Sequence, residues 1–199
     1  LATVRDKLIA QAEWGIAHTG EIHYAEVRPI PLAKYKAHTL PLTTDCSGYA
    51  TCCAYAAGAA DPNGQGYNGQ GYTGTLLQHL PHITKEEAVA GDFVVFGPYP
   101  GEHVVVLLQD GKVANPAVAS HGMEAGPLKT TLSVEVAGHN KPTTFLRSVP
   151  IVSKTNVWDI RDGRNELLAK GVKHPAIWAM RHPKSFRRHS LLSFHRRSV

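Results

Sequence analysis

The sequence predicts an α+β domain in which a cysteine-bearing helix packs on a small antiparallel sheet. Three observations predict it. A small-residue helical segment, 46–58, begins at a cysteine. Turn-bounded apolar runs follow it, with Phe93 to Phe96 first and His103 to Leu108 next. Helix first and strands afterwards is the order of an α+β chain rather than of alternating βαβ units. The 199 residues are 43% hydrophobic and 19% charged, which suits one ordinary domain, 1–150, and a basic C-terminal appendage, 151–199.

Residues 3–18 read as a helix, because Val4, Leu8, Ala12 and Ile16 recur at helical spacing. The stretch from Arg28 to Leu42 carries Pro29, Pro31 and Pro41 and is expected to be extended. Thr43, Thr44 or Asp45 then supplies the N-cap oxygen of the cysteine helix. Residues 61–74 contain Gly-Gln-Gly-Tyr twice. Without a following Lys-Ser/Thr this is a surface loop rather than a phosphate cradle, and Tyr67 and Tyr72 offer stacking surfaces beside a cleft. Thr75 to Leu80 reads as a short helix.

Gly91-Asp92 turns into a buried strand at Phe93, and Pro98 to Gly101 turns the chain back into the strand that starts at His103. Asp110-Gly111 opens the next hairpin. Pro116 disfavours regular pairing near that turn, so a wide loop to a strand over Val118–Gly122 is expected. Thr131–Ala137 and Thr143–Val149 read as the last strands. In the appendage, 156–168 suggests a turn and a short helix, and His174–Pro183 a second helix with Pro175 in its first turn.

Net charge is +5 and the pI about 9.2. Residues 181–199 hold six of the basic side chains and no acid, the pattern of a solvated tail drawn to polyanions. No nucleic-acid reader motif accompanies that charge, which argues against nucleic acid as the primary partner. Three cysteines do not make a disulfide framework, and no Cys-x-x-Cys or His-Glu-x-x-His spacing is present. We therefore expect no metal and no cofactor. No apolar run is long enough to span a bilayer, and no signal-peptide core is visible at the N-terminus.

The chemistry centres on Thr44-Asp45-Cys46-Ser47-Gly48-Tyr49. A cysteine in the first turn of a helix meets unpaired N–H groups and the positive end of the helix dipole, which favour a thiolate. A thiol nucleophile needs a base, and His103 at the head of a strand is the candidate. Asp45 beside the sulfur would raise its pKa, so it is expected to cap the helix rather than activate the thiol. Cys52 and Cys53 are adjacent and point about 100° apart, so they cannot jointly face the site; Cys53, seven positions after Cys46, could share its face but is expected in the core.

Asp45-Cys46-Ser47-Gly48 followed by Gly101-Glu102-His103-Val104 resembles the NlpC-like cell-wall cysteine peptidases, a papain-related family, over roughly Val4 to Val149. Gly91 to Phe96 resembles that family's Gly-Asp-Leu-Val-Phe-Phe segment. The resemblance implies a thiol endopeptidase cutting a peptidoglycan stem peptide, with Cys46 as nucleophile and His103 as base. It implies a third residue that orients His103; His121 is preferred over Asn115, and both stay open. Tyr24, with His23 as its neighbour, matches the tyrosine that lines the oxyanion side, and Asp45 and Ser47 complete the substrate-facing set. Ser120-His121-Gly122 is similar to a motif of phage-borne members, which implies a lysin or virion-borne hydrolase that reaches the bacterial wall. The basic tail would contact anionic wall polymers or phage tail components. An N-acetylmuramoyl-L-alanine amidase or acyltransferase of the same chemistry, or a non-catalytic wall-binding tail protein, are the alternatives.

Overall fold

The computed structural model describes residues 2–122, 126–151, 156–162, 167–172 and 192–198. The chain divides into two compact units, Leu1–Pro150 and Ile151–Val199.

In the first unit, α1 (Val4–Ala17) opens on a capping box, in which the Thr3 hydroxyl accepts from Asp6 N–H and the Asp6 carboxylate accepts from Thr3 N–H. Strand β1 (Ile22–Tyr24) pairs in parallel with β2 (Leu42–Thr44). Between them the stretch expected to be extended contains a short helix, α2 (Leu32–Lys36). Pro31 fixes its start and frees the chain only where the N–H would be unpaired anyway. Helix α3 (Cys46–Ala57) ends on Gly58 at φ 75°, a left-handed cap that glycine adopts without Cβ strain. Ten of its twelve residues are buried, because Ala, Gly, Ser and Cys let it approach its neighbours closely.

Helix α4 (Thr73–His79) follows the 61–74 loop, and that loop is tied down. The Asp61 carboxylate accepts from the Asn63, Gln65 and Tyr67 N–H groups, while the Asn63 amide bridges the Thr51 and Thr75 hydroxyls.

The main sheet has β3 (His82–Ile83), β4 (Phe93–Phe96), β5 (His103–Leu107), β6 (Ala117–His121), β7 (Pro127–Thr131) and β8 (Thr143–Leu146). Its order is β3-β8-β4-β5-β6-β7, antiparallel throughout. Strands β4 and β5 are buried on both faces, which is why they read as continuous apolar runs rather than alternating ones. Phe93, Val95, Val104, Val106 and Ala119 join the cluster that holds α1 and α3. Val94, Phe96, Val105, Leu107 and Val118 face the other way, with Leu132 of α5 (Leu132–His139).

That helix corrects the strand expected over Thr131–Ala137. The alternation of Leu132, Val134 and Val136 suggested a strand, but only Leu132 is buried. The segment closes into a helix because Asn115 Oδ1 accepts from Ser133 N–H, satisfying a first-turn donor, and Asn140 at φ 49° ends it.

The second unit holds a three-stranded antiparallel sheet, β10-β9-β11, of β9 (Asn156–Asp162), β10 (Leu167–Val172) and β11 (Leu192–Ser198). Of the turn and short helix expected over 156–168, the described residues 156–162 and 167–168 are strand instead; Val157, Trp158 and Ile160 are strand-favouring types. The helix expected over His174–Pro183 lies outside the described residues.

Asp92 links α1 to the sheet. Its fully buried carboxylate pairs with Arg5 at 2.9 Å and Arg147 at 2.9 Å, and accepts from the Val89 and Ser148 N–H groups.

Candidate functional site

Cys46 is the first residue of α3, and its N-cap is Asp45. Of the three candidate caps, Asp45 wins because its Oδ1 reaches the Gly48 N–H and also accepts from the Ser47 hydroxyl at 2.9 Å. The other oxygen, Oδ2, accepts from Arg28 at 2.8 Å, and Arg28 also donates to Ser47 Oγ at 3.1 Å. The expected role of Asp45 as a cap thus comes with a cation, Arg28, that the sequence did not single out.

Gly48 belongs to the same device. A Cβ there would run into the Thr44 hydroxyl and press on Asp45. Gly48→Ala is expected to lower stability by about 1–3 kcal/mol through overpacking, read as a fall in melting temperature.

Above Cys46 lies a cleft of about 440 Å³, lined among others by Tyr24, Glu26, Arg28, Tyr72 and Glu102. Tyr24, Asp45, Cys46 and Ser47 are all in this lining. Its neighbour His23 points to solvent from the opposite side of β1. Tyr72 reaches the cleft as expected. Tyr67 does not, since it packs on Tyr55 and donates to the Ala59 carbonyl.

Burial pushes the Cys46 thiol up to about 11, and the Asp45 charge adds to the shift. The Val104 and Ser47 N–H groups and the Tyr24 hydroxyl act the other way and are outweighed. The tyrosine in turn is raised by burial and by the charges of Cys46 and Asp45. Helix-end stabilisation therefore does not prevail over desolvation here.

The histidines fall differently from the expected arrangement. His103 shares a strand face with Val105 and Leu107, whereas Val104 and Val106 face α3. Its Nε2 meets Ser120 Oγ at 3.0 Å, and its ring packs near Phe96 and stacks on His139. The structure therefore does not bring His103 to Cys46. Burial pulls the His103 imidazole down to about 3, and His139 and His121 reinforce this.

His121 does lie on the Cys46 side of the sheet. The register pairs Val105 with Ser120 and Val106 with Ala119, so His121 points opposite to the face of His103 and does not orient it. A one-residue offset in pairing moves a side chain to the other face of a sheet. His121 is fully buried, its Nε2 hydrogen-bonded to the Thr44 carbonyl at 2.8 Å and its ring edge-on to Tyr24 and Tyr49. Burial lowers its pKa, and the hydrogen bond to the Thr44 carbonyl opposes the shift. Asn115 is engaged at α5 and does not contact His103 either. Cys52 and Cys53 are free and buried, and Cys53 lies in the core as expected.

Sequence reading missed a second group on the far face. His103, Glu135 and His139 converge with their ligand-type atoms within 4.8 Å of one another. Glu135 and His139 lie four residues apart on α5, a spacing that places them on one helix face, but their partner is 32 positions upstream and no local spacing reveals it.

No protein-family model matches the sequence, and no curated protein matches it. Among solved structures, the chain is similar to a Staphylococcus aureus protein described as similar to lipoprotein, NLP/P60 family. The TM-score is 0.47 and the identity 18%, over 74% of this chain and 42% of that one. It thus spans less than half of the staphylococcal chain. It is also similar to RipD from Mycobacterium tuberculosis, described as a non-catalytic NlpC/p60 domain protein with a peptidoglycan-binding function. Here the TM-score is 0.41 and the identity 13%, over 75% of this chain and 100% of that one.

Proposed function

We propose that residues 1–150 recognise peptidoglycan, hold a stem peptide in the cleft over Cys46, and bind it without cutting it. The observation that carries the non-hydrolytic reading is the placement of His103 on the sheet face away from the sulfur. A thiol held near 11 with, among the described residues, no imidazole bonded to it is a poor nucleophile at neutral pH. The cleft suits the ligand that the motif resemblance implies. Glu26 and Glu102 offer anions for an ammonium group, Arg28 borders them while paired with Asp45, and Tyr24 and Tyr72 give flat apolar surface.

The second reading is the thiol endopeptidase, or the amidase or acyltransferase of the same chemistry, carried by a phage particle or released to the wall. One observation favours it. Cys46 stands at the first position of α3 beneath an open cleft, with the Val104 and Ser47 N–H groups and the Tyr24 hydroxyl supporting its charged form.

Sedimentation with purified peptidoglycan, followed by mass spectrometry of the muropeptides, separates the readings. The expected result is co-sedimentation that falls at least fivefold in the double variant Tyr72→Ala/Glu102→Ala, with no new peptide ends. New ends that disappear in Cys46→Ala would establish the hydrolase instead. Failure of the wild-type chain both to co-sediment and to release new ends would remove both.

A further inference from the structure

We propose that His103, Glu135 and His139 form a divalent-metal site, of the kind that takes zinc, on the sheet face opposite the Cys46 cleft. The proposal goes beyond the peptidoglycan reading and does not depend on it. The Glu135 Oε2 lies 3.6 Å from His103 Nε2 and 3.4 Å from His139 Nε2. Zinc bonds of about 2.0–2.1 Å in tetrahedral geometry set neighbouring ligand atoms about 3.3 Å apart, close to both carboxylate–imidazole separations. Two imidazoles and one carboxylate are a zinc donor set that leaves one position for water.

The surroundings also favour a cation. Glu135 is 12% exposed, and among the described residues its ion-pair partners are these two histidines alone, with no lysine or arginine. A carboxylate that is largely out of water needs positive charge nearby, and a bound cation supplies it. Both Nε2 atoms face the same oxygen, and because the rings stack at 4.6 Å with planes 18° apart, one imidazole must turn on binding so that each ring plane contains the ion. His103 is fixed from behind by Phe96, and Ser120 Oγ stands 3.0 Å from its Nε2. In the tautomer protonated at Nδ1, the lone pair that faces Ser120 is the one a metal would take. A metal there would join β5 to α5, two elements 32 residues apart at these ligands.

The test uses the full chain stripped of metal with a chelator and then titrated with zinc, or with cobalt as a spectroscopic substitute. The expected result is saturable binding of one ion, the strong visible absorption of tetrahedral cobalt, and a rise in melting temperature on adding zinc. Glu135→Gln and His139→Ala should each weaken binding tenfold or more and remove the cobalt spectrum. His139 is partly exposed, so its truncation should leave the metal-free melting temperature nearly unchanged and keep the comparison clean. Replacing His182, His189 and His195 by alanine should leave the spectrum intact. Binding that persists in both Glu135→Gln and His139→Ala, or no saturable binding by the folded wild-type chain, would overturn the proposal.

Discussion

Iodoacetamide at pH 7 is expected to leave Cys46 almost unmodified in the folded protein and to label it rapidly once the chain is unfolded. A free thiol with a pKa near 8.5 is roughly 3% thiolate at pH 7, whereas one near 11 is about 0.01%. The Cys46 thiol is pushed up to about 11, chiefly by burial and then by Asp45. Alkylation should therefore run about 300-fold slower than that of a small-molecule thiol at the same pH. Only the thiolate reacts, so the rate should climb about tenfold per pH unit through the alkaline range and level off only near pH 11. Peptide mapping of the three cysteines after timed labelling reads each rate separately. Labelling of Cys46 at pH 7 as fast as a free thiol would mean that an imidazole reaches it, and the endopeptidase reading would then prevail.

Asp92→Ala is expected to be the most damaging single substitution outside the apolar core. Asp92 is fully buried and receives two guanidinium groups and two backbone N–H groups. Removing one partner of a buried ion pair typically costs 3–5 kcal/mol, because the charge left behind is neither paired nor hydrated. Arg5 and Arg147 retain 17% and 12% exposure, so they can turn partly toward water and the loss should lie near the lower end, about 3 kcal/mol. For a chain of this length that is roughly 6–12 °C in melting temperature. Asp92→Asn keeps the shape and part of the hydrogen bonding and should cost less. Thermal unfolding followed by circular dichroism checks both, and equal melting temperatures for Asp92→Ala and wild type would show that the arginines are not held by this carboxylate.

Much of the first unit was legible because its signals are local. Helical spacing from Val4 to Ile16 marks α1, small residues after Asp45 mark α3, and Pro98 to Gly101 marks the β4–β5 turn. Pro116 correctly pointed to a wide loop before β6. What stayed hidden is which way a strand faces. Phe93–Phe96 and Val104–Leu107 are apolar on both sides, so no alternation shows which residues meet α3. The cleft residues Asp45 and Ser47 were found because they flank Cys46, and Tyr24 through the motif resemblance. Arg28 was not, since it reaches Asp45 from a proline-rich stretch with no periodicity of its own. Helix α5 was misread because hydrogen bonding from Asn115, 18 residues before Ser133, decides its start.

Strand direction at the entrance to β5 has a further consequence. Glu102 borders the cleft and His103 turns to Glu135, so adjacent positions serve opposite sides of one sheet. Adding or removing one residue in the Pro98–Gly101 turn would exchange them, carrying an imidazole to the sulfur and a carboxylate toward α5. In this fold the step between a reactive thiol couple and a cation-binding cluster is one residue of turn length. Evolution can cross it by an insertion or deletion, without inventing a side chain.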